Sequence, residues 1–157
     1  MKLIKPSFEI LEQGPGLDGI YQQIEMAGRT CYRSQRPEGQ TAKDFVDRMI
    51  ASQHYAMLEH GTVYLKMSKD DMPRKYHENP YSRVHLKYPE GNIPNIYCEP
   101  DYCITTNLRV LIENGWLDDL KYLCEPTEYH EKRVTVRFTT DIGVSREFNR
   151  HKLLCVA

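Results

Sequence analysis

Two short stretches of this 157-residue chain alternate apolar and polar residues with a period of two. That pattern fits a half-buried strand, because successive side chains of a strand point to opposite faces. Over residues 61–67, Val63, Leu65 and Met67 alternate with Thr62, Tyr64 and Lys66; over 132–138, Val134, Val136 and Phe138 alternate with Thr135 and Arg137. A further strand is predicted over 1–13, at a sheet edge, since Pro6 cannot donate to a ladder. Helical spacing fills much of the rest. Ile20, Ile24 and Ala27 predict a helix over 17–27 that stops at Gly28. Thr41 with Asp44 forms a capping-box pattern ahead of Phe45, Val46, Met49 and Ile50, giving a helix to about residue 52. Ile104, Leu108, Leu111 and Ile112 predict a helix over 104–113 that ends at Asn114-Gly115. Leu117, Leu120 and Leu123 predict another that stops before Pro126, and Val144, Phe148 and His151 or Leu154 form one stripe of a last helix. Between 68 and 102 the periodicity is lost among five Pro and five Tyr, which predicts a long loop, read as an insertion. The expected fold is α+β, one domain over 1–157, with an antiparallel or mixed sheet flanked by helices.

Composition narrows the function classes. With 40% hydrophobic and 27% charged residues the chain is of ordinary globular make-up, and its net charge of −1 gives no global field to draw nucleic acid or anionic membrane. Any anion site is therefore local. Five Cys, with no C-x-x-C and no apolar leader pattern, predict reduced thiols and a cytoplasmic protein.

Reactive side chains gather in two places. Arg146 and Arg150 stand four apart, hence side by side on one helix face, and neither has a carboxylate four residues away. A phosphate would supply the missing charge to two guanidinium forks; a solvated basic helix end accounts for the same spacing. The second cluster is His54-Tyr55-Ala56-Met57-Leu58-Glu59-His60, at a junction between helix and strand. Its two His are six apart, which is not a metal spacing, and an imidazole there can serve as a donor to a planar ligand or as a satisfied structural group. Cys98, Cys103 and His85 could bind zinc only weakly as a pattern, and neither Ser34 nor Ser145 sits in a nucleophile-elbow motif.

Taken in order, these segments resemble flavin-dependent thymidylate synthase. The junction His54-x-x-x-x-Glu59-His60 and the helix Arg146-x-x-x-Arg150-His151-Lys152 look like that family's two central motifs. Ala27-Gly28-Arg29-Thr30-Cys31-Tyr32 is similar to its A-x-R-x-S/C-Y/F segment. The resemblance spans residues 17–67 and 132–155.

It implies reductive methylation of dUMP, with methylenetetrahydrofolate as one-carbon donor and NADPH as reductant acting through FAD, in a homotetramer. By position, it places Cys31, His54, Ala56, Arg150, His151 and Lys152 at the flavin, and Glu147 and Arg150 at the nucleotide substrate. There are departures. Lys152 stands where the R-H-R-x-x-S signature has its second Arg, which keeps the charge and loses a bidentate fork, and Cys155 stands at the Ser. The S-x-R-Y half of the signature does not occur before Ala157. On this pattern the chain is expected not to turn over alone, and to expose Val144, Phe148 and Leu154 as an uncovered stripe. The competing expectations are a nucleotide- or RNA-binding module built on Arg146, Arg150, Lys152 and the Tyr-rich loop, and a zinc-stabilised interaction domain.

Overall fold

The computed structural model describes residues 5–89 and 99–148. It is a mixed α+β structure with antiparallel sheets flanked by helices. The chain starts as strand β1 (Ser7–Leu11), followed by helices α1 (Gly16–Tyr32) and α2 (Ala42–Ala51). A 3-10 helix (Tyr55–His60) leads into β2 (Thr62–Met67). After a short 3-10 turn come α3 (Arg74–Glu78), β3 (Arg83–Lys87), β4 (Asp101–Asn107) and α4 (Leu108–Glu113). A 3-10 helix (Leu117–Tyr122), β5 (Thr135–Thr139) and α5 (Ile142–Phe148) complete the described residues.

The main sheet has three antiparallel strands in the order β2-β4-β3. One face carries Val63, Leu65 and Met67 of β2 and Ile104 of β4. This face meets Ile20 and Ile24 of α1, Phe45 and Val46 of α2, Met57 and Leu58 of the junction, and Leu108 and Leu111 of α4. All are buried, and burial of this apolar surface is the main force joining helices to sheet. The β2 strand forms as its alternation predicts.

The second sheet is a two-stranded ribbon of β1 and β5. Glu9 and Arg137 form an ion pair on one face, while Phe8 and Phe138 lie opposite each other on the other face with ring centroids 6.5 Å apart. Both predicted strands form in part, and their apolar residues stay out of the core: Phe8 is 68% exposed and Phe138 52%, while Val134 precedes β5 and is exposed as well. Val144 of α5 is exposed as the stripe predicts, while the side chain of Phe148 and residue Leu154 lie outside what is described.

A side-chain amide ties the ribbon to the main sheet. Gln13 Nε2 donates to the Thr62 carbonyl at 2.8 Å, and its Oε1 accepts from the Thr62 N–H at 2.9 Å, the exchange that a strand residue would make. Gln13→Ala leaves both groups without these partners and is expected to cost about 2 kcal/mol, read as a lower denaturation midpoint at unchanged m-value.

Three predicted elements are corrected. α1 does not stop at Gly28 but continues to Tyr32 and ends with Arg33 in the left-handed region (φ 48°). Gly28 faces α2, and a Cβ there would lie 2.5 Å from Cζ of Phe45. The glycine thus permits close helix packing and is not a stop. Residues 68–102 are not a structureless loop. They contain α3, β3 and the start of β4, held down by a buried polar staple. Tyr76 O–H donates to Asp119 at 2.6 Å and Lys75 Nζ pairs with the same carboxylate at 2.5 Å, while the Tyr76 ring packs edge-on against Trp116. Burial, and then the Asp119 carboxylate, push the Tyr76 hydroxyl pKa well up. Finally, Ile104 lies on a strand and the helix begins only at Leu108, where the Asn107 side chain caps it by accepting from Val110 N–H at 3.0 Å.

Candidate functional site

The junction between α2 and β2 is shaped by a tight chain reversal. Ser52, Gln53 and His54 donate their N–H groups back to Arg48, Ile50 and Met49, closing the end of α2. Gln53 pays for the reversal with a left-handed backbone (φ 58°), unusual for a residue with a Cβ. The following 3-10 helix sends Met57 and Leu58 inward and leaves His54 and Ala56 exposed. Two buried anchors thus fix the orientation of two exposed groups. Gly61 then lets the chain pass directly over α1, where a Cβ would stand 2.5 Å from Ile24 Cδ1.

Outside the core, this arrangement leaves an open cleft of about 330 Å³. It is lined by Tyr32 at the end of α1, by Gln53, His54, Tyr55, Ala56 and Met57 of the junction, and by Arg109 of α4. Three elements distant in sequence therefore converge on it. Arg109 is held from two sides: its Nε donates to Glu113 Oε1 at 2.8 Å and its Nη1 to Glu59 Oε1. These two carboxylates raise its pKa, the Glu113 hydrogen bond most, and fix the guanidinium at the rim. His60, one residue before Gly61, is half-buried, and burial lowers its pKa in spite of the neighbouring Glu59 carboxylate.

Behind Tyr32, α1 carries a cluster of ion pairs around one buried carboxylate. Buried Glu25 accepts from Arg29 Nε at 2.7 Å and from Arg36, and the Arg29 guanidinium stacks 5.0 Å over the Phe45 ring. Burial alone would push the Glu25 carboxyl up; the hydrogen bonds from Arg36 and Arg29 outweigh it and hold the pKa down. Cys31 is exposed on the last turn of α1, one residue before Tyr32.

Of the residues singled out in the sequence, the structure brings His54 and Ala56 into one cleft with Tyr32, the neighbour of Cys31. Glu147 is exposed on α5 and is not among the cleft-lining residues. Arg150, His151 and Lys152 lie outside the described residues. His85 and Cys103 face each other across β3 and β4, while Cys98 lies outside the described residues. Among the described residues no group of three or more His, Cys, Asp and Glu is arranged to hold a metal ion, and no helix is long and apolar enough to cross a membrane. Arg109 is not legible as a site residue in the sequence, since it belongs to neither motif and lies 50 residues beyond Glu59, to which only the fold joins it.

Comparisons with protein-family models, with curated proteins and with solved structures give no match.

Proposed function

We propose that the junction cleft receives the planar ring system of a flavin, and that the chain carries a flavin site of the thymidylate synthase type, serving reductive methylation of dUMP. The observation that supports this reading is the convergence of Tyr32, His54 and Ala56, from two separated motifs, on one cleft. The residues fit such a group. Tyr32, Tyr55 and the His54 imidazole offer flat faces, the Ala56 methyl keeps the floor low, and Gln53, His54 and Arg109 offer polar contacts to ring heteroatoms. At about 330 Å³ the cleft is at the lower end for ligand pockets, sized for a ring system rather than for a whole dinucleotide.

When bound, the flavin would pass on the hydride that NADPH supplies, with methylenetetrahydrofolate giving the one-carbon unit. The chain's own part is positional. The left-handed turn at Gln53 and the buried Met57 and Leu58 hold His54 and Ala56 in place before any ligand arrives, which limits the ordering cost of binding. Glu59 and Glu113 hold Arg109 in the same way. Arg150, His151 and Lys152 are assigned to the flavin, Glu147 and Arg150 to dUMP, and assembly into a homotetramer is part of the same reading, all on sequence resemblance.

FAD titrated into the purified chain, followed by flavin fluorescence, tests the proposal. Saturable binding is expected, weakened about tenfold by His54→Ala, the loss of one good polar contact. Absence of saturation with the wild-type chain contradicts it.

A further inference from the structure

Segment 123–133 crosses the polar face of the three-stranded sheet. At its start Leu123 bridges Leu65, and Cys124 N–H donates to the Tyr64 carbonyl at 3.0 Å. At its end Arg133 N–H donates to the Tyr64 hydroxyl at 3.2 Å. Beneath it lies Cys103, only 1% exposed, although its cross-strand neighbours Lys66 and His85 have side chains about half exposed, at 49% and 51%. The segment is what removes that thiol from solvent.

Between the two ends, one imidazole makes the attachment. His130 is buried, and its Nε2 lies 3.1 Å from the Leu65 carbonyl, an acceptor, so Nε2 carries the proton. Its Nδ1 accepts from Thr127 N–H at 3.0 Å, so Nδ1 is bare. The ring also meets Tyr64 edge-on at 5.4 Å. Only the neutral ring satisfies both backbone groups. A proton on Nδ1 would face the Thr127 N–H and abolish that hydrogen bond; the Thr127 hydroxyl, 2.9 Å from Nδ1, could accept the new proton but leaves the backbone N–H without its partner.

We propose that His130 is an acid-sensitive latch: neutral, it pins segment 123–133 onto the sheet; protonated, it lets the segment lift and uncovers Cys103 and Cys124.

The surrounding charges bear on the latch from every side. Its own segment brings Cys124, with Sγ 3.8 Å from Nε2, and Glu128 and Glu131, which line an open hollow of about 340 Å³ beside the ring. β3 brings His85 to the same hollow, Arg83 to Glu131 and Lys87 over the Tyr129 ring; Arg133 closes the segment, β2 brings Tyr64 and Lys66, and β4 brings Cys103 and Asp101. Burial is the largest influence and lowers the His130 pKa; the Leu65 carbonyl opposes it, and His85 adds to the lowering. The sign is therefore fixed. The open form takes up the proton at an ordinary His value near 6.5 and the closed form only below it, so closure is fully favoured above about pH 6.5 and weakens as pH falls through that value.

Hydrogen exchange of the full chain, read by mass spectrometry at pH 7.5 and pH 5.0 and corrected for intrinsic exchange, tests the latch. Opening of segment 123–133 should increase up to about thirtyfold at pH 5.0, the ratio for an open form titrating at 6.5 and a closed form that does not titrate. Core helix α1 should be unchanged, and His130→Gln should show the same opening at both pH values. Unchanged protection of 123–133, or equal loss across α1 and the segment, overturns the proposal. Should His130→Gln not fold, the His130 ring resonance of the wild-type chain decides. Titration below 6.5 with the Thr127 amide following the same curve supports the latch; titration at or above 6.5, or an indifferent Thr127 amide, refutes it.

Discussion

Ile104→Ala is expected to destabilise the protein by roughly 2–5 kcal/mol, the cost of removing a large aliphatic side chain from a packed core. Ile104 is fully buried at the middle of the central strand, with Leu65 across from it on one side and Val84 on the other. Both neighbours thus lose contact at once, and the cavity cannot collapse without moving a strand. For a domain of this size the loss corresponds to a fall in midpoint of about 4–20 °C. Val134→Ala is the matched control: Val134 is 64% exposed, and its truncation should stay within about 0.5 kcal/mol. Thermal unfolding of the two variants separates the buried centre of β4 from an exposed position just ahead of β5.

Ala56→Trp is expected to weaken flavin binding at least about a hundredfold while leaving the fold intact. Ala56 is exposed and projects from the 3-10 helix whose other face is anchored by Met57 and Leu58. An indole at that point fills the cleft floor without displacing core atoms, so stability should change by no more than about 0.5 kcal/mol. The loss is in binding alone, measured by the same FAD titration beside a melting curve. A comparable loss of both would mean that the cleft is structural.

Local interactions were legible in the sequence, and those completed at long range were not. The capping box of α2 is a four-residue device, and Thr41 and Asp44 make it as the sequence indicates, with Asp44 N–H donating to Thr41 Oγ1 at 3.2 Å. Gly28 misleads because a glycine that ends a helix and one that admits a neighbouring ring look alike in one dimension; only Phe45, 17 positions on, distinguishes them. The central strand hides for a different reason. Five consecutive residues of β4, Cys103 to Asn107, are buried because α-helices cover one face and segment 123–133 the other, so no polar alternation marks it. Ile104, Leu108 and Leu111 then imitate a helical stripe across a strand-to-helix boundary.

The same division holds at the cleft. His54 and Ala56 belong to a contiguous motif and could be named from it. Arg109 and the His130 latch each depend on contacts made about 50 and 65 residues away, with Glu59 and Leu65. No spacing rule reaches that far, and of the Cys31-Tyr32 pair it is Tyr32 that lines the cleft, whereas the resemblance pointed to Cys31.

Whether the junction cleft is the ring site is read residue by residue from chemical-shift mapping of the ¹⁵N-labelled chain during titration with FMN. Shifts are expected to concentrate at Tyr32, Gln53 through Met57 and Arg109, with β1 and β5 unaffected. Shifts that avoid these residues, or no shifts at saturating FMN, would contradict that placement.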